Sequence, residues 1–292
     1  MGSPRVSVVM PVYNGQAYLA NAIGSVIAQS FPDWELLLVD DGSSDASPAI
    51  AADFAARDGR IVAMRSAPDR RGAAAARNAG IAAARGDYVS FLDCDDLYEP
   101  GMLAAHVAAL DADPQAAWVY SATRWFHEDG SRRDYRERLG LRLDRRYPPP
   151  VLLNRIILEE RGDIPCTCSV MIRKAALDEV GGFEERFKLY EDQSLWVKLL
   201  LAYPVRVISG CHAAYRQHGG STSSAATASG TYSRTGGHRA RTAFLEWVGD
   251  YVRERGAPPS VDASVDTALR ANDGRLWDKL LRRVRVMNRL LY

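Results

Sequence analysis

The chain has 292 residues, with 37 Lys and Arg against 36 Asp and Glu, for a formal charge of +1 at neutral pH. A hydrophobic fraction of 47% beside 25% charged residues is that of a globular protein with a full core, and it excludes wholesale disorder, collagen-like repeats and coiled-coil architecture. The balanced charge argues against a general nucleic-acid binder, whose mark is a basic excess.

The longest apolar runs, such as 34–39 and 199–202, stop far short of the ~20 residues that cross a bilayer. Residues 6–12 are apolar but few. Tyr13-Asn14-Gly15 follows them instead of a small-residue cleavage site, so no secretory leader is expected. Four cysteines are too few for a disulfide scaffold in a chain of this length. Cys166 and Cys168 form C-x-C, not the C-x-x-C of a zinc knuckle. They are expected as reduced thiols of a cytoplasmic protein, with a zinc pair the lesser alternative.

In chain order, residues 6–10 form a β-branched run that predicts a buried strand. Residues 16–29 place Leu19, Ala22, Ile23, Val26 and Ile27 at helical spacing. A second buried strand at 34–39 ends at Asp40-Asp41-Gly42, and Ser44 or Asp45 can cap a helix over 48–57. A third strand is expected at 61–64, an alanine-rich helix at 72–84, and a fourth strand at 88–92 that ends at Asp93-Cys94-Asp95-Asp96. A helix with proline at its start covers 100–110, and a fifth strand 118–121. Strand and helix alternating through short connections predict a mostly parallel α/β sheet with helices on both faces. Such sheets bind ligands at the carboxyl ends of their strands. The polar clusters 11–15, 40–45 and 93–96 all fall there.

The second half is less regular. Residues 127–150 read as a loop; within 132–146 seven arginines face three acids, a local charge of +4. A strand is expected at 166–172, a short helix at 174–180 ended by Gly181-Gly182, a helix at 191–202 and a strand at 205–208. Residues 219–237 are rich in Gly, Ser and Thr and predict a mobile loop. Helices are expected at 239–255, 261–271 and 275–291, the last amphipathic with six basic residues and one acid. Such a face permits shallow contact with anionic lipid; the alternative is an apolar face on the domain with arginines in water.

Three carboxylates within four residues at a strand end must be solvated, hydrogen-bonded or held by a cation. A hard divalent ion, Mg²⁺ or Mn²⁺, suits oxygen ligands and leaves positions open for phosphates. The alternative is turn solvation and capping before Pro100. Asp40 and Asp41 can accept hydrogen bonds from a base or ribose, or merely cap the next helix. No G-x-G-x-x-G follows a strand and no G-x-x-x-x-G-K-[ST] occurs. Both common phosphate-cradling loops are therefore missing, and a phosphorylated ligand would need a metal and basic side chains instead.

The strings V-S-V-V-M-P-V-Y-N-G, L-L-L-V-D-D-G-S-S-D, G-A-A-A-A-R-N-A-G and G-D-Y-V-S-F-L-D-C-D-D, in that order over residues 5–110, resemble family-2 glycosyltransferases of the GT-A fold. C-S-V-M-I-R-K, G-G-F-E-E, Y-E-D-Q-S-L-W and Y-R-Q-H-G-G-S continue the resemblance downstream. The resemblance implies that Pro11, Val12 and Tyr13 line a nucleotide pocket and that Asp41 accepts from the base. It implies that Arg77 and Asn78 face the nucleotide or sugar. Asp93 and Asp95 would form the D-x-D motif, with Asp95 the first choice for direct metal ligand and Asp96 beside it. Asp192 would be the catalytic base of an inverting displacement.

Other candidates carry two readings each. His218 could reach the metal or diphosphate, or could be a loop histidine with a local hydrogen bond. Glu191 is structural or acceptor-binding, Arg216 meets phosphate or is a surface charge, and Trp196 is expected in the core, with a place near the acceptor as its alternative. Residues 1–125 are expected to bind the nucleotide-sugar donor, a UDP-sugar first, and 126–220 a glycan or lipid-linked acceptor. Residues 221–292 would be a mobile loop and helical tail of a cytoplasmic protein, peripheral contact with the inner face of a membrane being the second reading of that tail. The rival readings are a non-catalytic nucleotide-sugar binder or scaffold of the same fold, and a Rossmann dehydrogenase, which the missing glycine fingerprint disfavours.

Overall fold

The structure is a computed structural model that describes residues 3–273 except 129, 131, 222–223, 225–228 and 230–237. The helix expected at 275–291 and most of the loop expected at 219–237 lie outside the described residues. The first part alternates β1 (Val6–Val12), α1 (Leu19–Ile27), β2 (Trp34–Asp40), α2 (Ser47–Arg57), β3 (Ile61–Arg65), α3 (Ala73–Ala83) and β4 (Tyr88–Phe91). Then come β5 (Leu97–Tyr98), α4 (Met102–Asp111), β6 (Trp118–Phe126), β7 (Tyr135–Arg136) and β8 (Arg145–Tyr147). A π-helical turn at Leu153–Leu158 precedes β9 (Val170–Arg173), α5 (Lys174–Val180), α6 (Glu191–Ala202) and β10 (Val205–Arg216). Two more helices close the described chain, α7 (Arg239–Glu254) and α8 (Pro259–Asn272).

One sheet contains every one of these strands, in the order β3-β2-β1-β4-β9-β6-β10-β5, with β7 on β6 and β8 on β10. Strands β1 to β4 are parallel to their neighbours in that set. Successive residues point to opposite faces of a strand, and both faces are apolar here. Val8, Met10, Val12, Leu36 and Leu38 pack with Leu19, Ile23 and Val26 of α1 and with Met102, Leu103 and Val107 of α4. Val9, Leu37, Val39, Val89 and Phe91 pack on the other face with α3, α5 and α6. Helix α3 comes close enough to β1 that a Cβ at Gly80 would lie 2.3 Å from Val9 Cγ1, so this helix requires glycine at the crossing.

The sheet departs from the expected parallel series at its centre. Strand β9 is antiparallel to both β4 and β6, and separates them. The strand expected at 118–121 runs on to Phe126, and the one expected at 205–208 runs on to Arg216. Ser209-Gly210 reads as a strand end, but the pairing only shifts register there and resumes, with Gly210 at φ 96°, as glycine does at a bulge. The stretch expected as a loop at 127–150 contributes β7 and β8 to the edges, and residues 167–169 form a 3₁₀ turn before β9. Because β6 crosses residue 125, that expected boundary falls inside a strand.

The expected helical tail is part of the core as far as residue 268. Phe244, Leu245, Val248 and Val252 of α7 and Val261, Val265 and Ala268 of α8 belong to the same apolar cluster as Trp196. Trp196 itself is fully buried and stacks on Trp118, with ring centroids 5.4 Å apart. Phe244 has no exposed surface and stacks 4.9 Å from Tyr190. Removing such a ring leaves a cavity, so Phe244→Ala should lower stability by about 3–5 kcal/mol in urea unfolding. A loss under about 1 kcal/mol, the size of an average substitution, would make α7 an appendage.

Candidate active site

Strand β1 has β2 on one side and β4 on the other, so chain direction across the sheet reverses at β1. In parallel sheets the crevice beyond the carboxyl ends at such a switch point takes the ligand. The ends of β1 and β2 are stapled together. Asn14 Oδ1 accepts the Ser44 N–H at 2.8 Å, and the Gly15 N–H donates to Ser47 Oγ at 2.9 Å. Asp40 accepts the Gly42 and Ser43 N–H groups and acts as a turn former. Asp41 is different. Its N–H donates to the Val12 carbonyl and its Oδ2 accepts the Gly72 N–H at 2.7 Å, while its buried Oδ1 has no partner among the described residues. A buried acceptor without a donor is costly, so Asp41 Oδ1 is suited to an N–H of a bound base. Tyr13 is 63% exposed beside it, whereas the Val12 side chain is sealed in the core and Pro11 is half-buried. The rim can therefore offer the Tyr13 ring and the Asp41 carboxylate, with Val12 as their support.

At the end of β4 the chain turns through Asp93 to Asp96, with the Asp96 N–H donating to the Asp93 carbonyl. Asp93 and Asp95 side chains are each 27% exposed. Asp95 Oδ2 lies 2.8 Å from His218 Nε2, so the loop after β10 meets the acidic tip across more than a hundred residues of sequence. Arg216 anchors that loop: its Nε donates to the Asp95 carbonyl, its N–H to Asp96 Oδ1, and its guanidinium lies 4.7 Å from the Tyr18 ring centroid. His218 packs on the same Tyr18 ring. Both Arg216 and His218 thus join the tip, and Arg216, 2% exposed, is not a surface charge.

Arg77 on α3 is 3% exposed and binds two carboxylates, Asp93 Oδ1 at 2.6 Å and Glu191 Oε1 at 3.3 Å. Burial opposes its charge, but Asp93 and Glu191 outweigh that and raise its pKa, so it stays a cation. Asn78 spends its amide on the 183–185 strap, with Nδ2 to the Phe183 carbonyl and Glu185, and Oδ1 to the Phe183 N–H. The structure therefore brings Arg77 to the acidic tip and turns Asn78 away to the strap.

Glu191 and Asp192 open α6, where carboxylates suit the positive end of the helix dipole. Burial first, then the neighbouring Glu191 charge, push the Asp192 carboxyl up to about 7. Tyr190, just before, sits at φ 71° in the left-handed region, an unusual place for a bulky residue. It is held there by stacking on Phe244 and by a 2.9 Å hydrogen bond between its hydroxyl and His238 Nε2. Sequence reading gave no sign of this clamp, since its parts lie some fifty residues apart. The wide spacing also hid Arg77 as the bridge between Asp93 and Glu191.

The mixed α/β sheet, its switch point and its acidic tip define a protein of the GT-A class. The chain belongs to glycosyl transferase family 2, whose family model matches residues 7–181. Among curated relatives, the putative glycosyltransferase EpsE of Bacillus subtilis is 32% identical over 198 residues, 67% of this chain and 66% of that protein. An uncharacterized glycosyltransferase of Haemophilus influenzae is 46% identical over 96 residues, 33% of this chain and 38% of that one. The chain thus spans from 38% to 66% of the length of these two relatives. Among solved structures, S. aureus TarS 1–349 in complex with UDP-GlcNAc superposes with a TM-score of 0.69 at 21% identity, covering 91% of this chain and 70% of that one. The mannosyltransferase PcManGT from Pyrobaculum calidifontis, in complex with GDP-Man and Mn²⁺, gives 0.57 at 19% identity, covering 100% and 82%.

Proposed function

We propose that the protein transfers a sugar from a nucleoside-diphosphate donor to a hydroxyl of a glycan or lipid-linked acceptor, with inversion at the anomeric carbon, in the synthesis of a glycan, polysaccharide or glycoconjugate. The observation that carries this reading is Arg77, whose one guanidinium touches both Asp93 at the acidic tip and Glu191 next to Asp192. Such a bridge supports a single cleft that holds leaving-group stabilisation on one side and a base on the other. A direct displacement needs those two functions and no protein nucleophile.

Tyr13 and the open Oδ1 of Asp41 would hold the base. Asp95 and His218, whose ligand atoms lie 2.8 Å apart, would hold a Mn²⁺ or Mg²⁺ ion with room left for phosphate oxygens, and Asp93, whose Oδ1 is bonded to Arg77, would have to move to join them. When bound, that ion supplies charge neutralisation for the departing diphosphate. Asp192 takes the proton of the acceptor hydroxyl as its oxygen bonds to the anomeric carbon and the bond from that carbon to the phosphate oxygen breaks. Glu191 and Arg77 set the charge around Asp192.

A UDP-sugar is the first donor to test, because the similar TarS structure is described with UDP-GlcNAc. A GDP-sugar is the second, on the strength of the PcManGT complex. The test is a panel of UDP-, dTDP- and GDP-sugars scored for release of nucleoside diphosphate with Mn²⁺, Mg²⁺ or EDTA. Metal-dependent release from one donor class is the expected result. Stabilisation by UDP and Mn²⁺ without any turnover would leave the non-catalytic binder, and stabilisation by NAD alone would overturn both.

A further inference from the structure

Below the acidic tip lies a second cluster that the reaction does not use. The turn that carries Cys166 and Cys168 enters β9, the strand paired with β4, and this pairing brings it under Asp96. The two sulfurs are 3.3 Å apart, and the ligand atoms of Asp96, Cys166 and Cys168 all lie within 4.8 Å of one another. The turn is fixed by the Ser169 N–H and hydroxyl, both donating to the Cys166 carbonyl at 2.9 Å.

Asp96 supplies the second, independent sign of a ligand. It is 1% exposed. Its Oδ1 accepts the Arg216 N–H, and its Oδ2 is buried with no geometric hydrogen bond among the described residues, the two cysteine sulfurs lying within 4.8 Å of the carboxylate. A buried carboxylate oxygen without a donor is costly, and a cation held by it and the two sulfurs would remove that cost.

We propose that Asp96, Cys166 and Cys168 bind one Zn²⁺ in a site separate from the Asp93–Asp95 tip. Two thiolates and a carboxylate are a zinc donor set, and soft sulfur ligands discriminate against Mn²⁺ and Mg²⁺. Tetrahedral bonds of ~2.3 Å to sulfur and ~2.1 Å to oxygen require contacts of roughly 3.8 Å between sulfurs and 3.6 Å from sulfur to oxygen. The present spacing reaches those values by movements on the order of 1 Å. Binding forms two Zn–S bonds and one Zn–O bond, and the two thiol protons, with any proton held by the Asp96 carboxyl, pass to solvent. The fourth position is left for water. Because Asp96 directly follows Asp95, zinc here would also fix the backbone of the tip from below.

The test uses the full chain, reduced and freed of metal, titrated with Co²⁺ alone. An intense sulfur-to-cobalt charge-transfer band is expected, saturating at one ion per chain, displaced by stoichiometric Zn²⁺ and untouched by a large excess of Mn²⁺. The band should vanish in Cys166→Ser/Cys168→Ser and persist in Cys94→Ser and Cys211→Ser. Should the double variant fold poorly, Asp96→Asn gives the second measurement, with a shifted d–d spectrum and weaker Zn²⁺ competition expected. A wild-type chain without a sulfur-to-cobalt band would overturn the site. So would a band that survives loss of Cys166 and Cys168, or an Asp96→Asn spectrum identical to wild type. No donor sugar enters these measurements, so their failure is distinct from failure of the transferase reading.

Discussion

Asp192→Asn should cut nucleotide-sugar turnover by ~10²–10⁴-fold, the range contributed by a positioned general base, while leaving donor binding intact. Asparagine keeps the shape and can still accept the Gln193 N–H that Asp192 Oδ1 accepts at 2.7 Å, but it cannot take a proton. The wild-type pH profile provides the second half of the prediction. With its carboxyl pushed up to about 7, Asp192 is protonated below that pH and competent above it. The rate constant kcat/KM should therefore rise through an acid limb near pH 7, since this constant reports the free enzyme. Stability should move in the opposite direction. Between the ordinary value of 3.8 and about 7 the folded state holds a proton that the unfolded state has released, so stability falls as pH rises through that window. Asp192→Asn cannot ionise and escapes that loss. An inactive variant that is as stable as wild type at pH 8, or more so, marks a chemical role. A variant that retains most of its turnover would remove Asp192 from the mechanism.

The first half of the fold was legible because its signals are local. Each of β1 to β4 is a short apolar run, α1 repeats its apolar residues at helical spacing, α2 has a capping signal, α3 is rich in alanine, and each turn between them contains Asp, Asn, Ser or Gly. Those signals also drew attention to Asp41, Asp93 and Asp95, since polar clusters at strand ends are visible in one dimension, whereas Asp192 became a candidate only through the family resemblance. What escaped is non-local. That β9 would run antiparallel between β4 and β6 depends on pairing across some eighty residues, and no residue within 170–173 encodes it. The Ser209-Gly210 bulge mimics a strand end. Arg77 was placed at the nucleotide, yet its partners Asp93 and Glu191 become neighbours only when α3 and α6 pack on the same face of the sheet. The Tyr190–His238–Phe244 clamp is hidden for the same reason: an aromatic residue before an Asp pair has no signature until α7 arrives to hold it.

Asp95→Asn should abolish the Mn²⁺ dependence of nucleoside-diphosphate release and lower the rate by ~10²–10³-fold, the cost of removing one group that stabilises developing charge. Asp95 is a cleaner probe than Asp93. Asp93 Oδ1 bonds the buried Arg77, so neutralising Asp93 strips a buried cation of a partner and destabilises the fold as well. Asp95 has only a quarter of its side chain exposed, but its side-chain partner is His218, which tolerates an amide as hydrogen-bond partner in either tautomer. The fold should survive, and the thermal shift given by UDP with Mn²⁺ should fall to that given by UDP with EDTA. Histidine 218 adds an internal control. If His218 joins Asp95 in holding the ion, His218→Asn should weaken Mn²⁺ activation without abolishing it, raising the Mn²⁺ concentration needed for half-maximal rate while the rate at saturating ion recovers. If Asp95→Asn keeps wild-type Mn²⁺ activation, the tip is a capped turn, and leaving-group stabilisation must be sought in Arg216 and the loop that follows it.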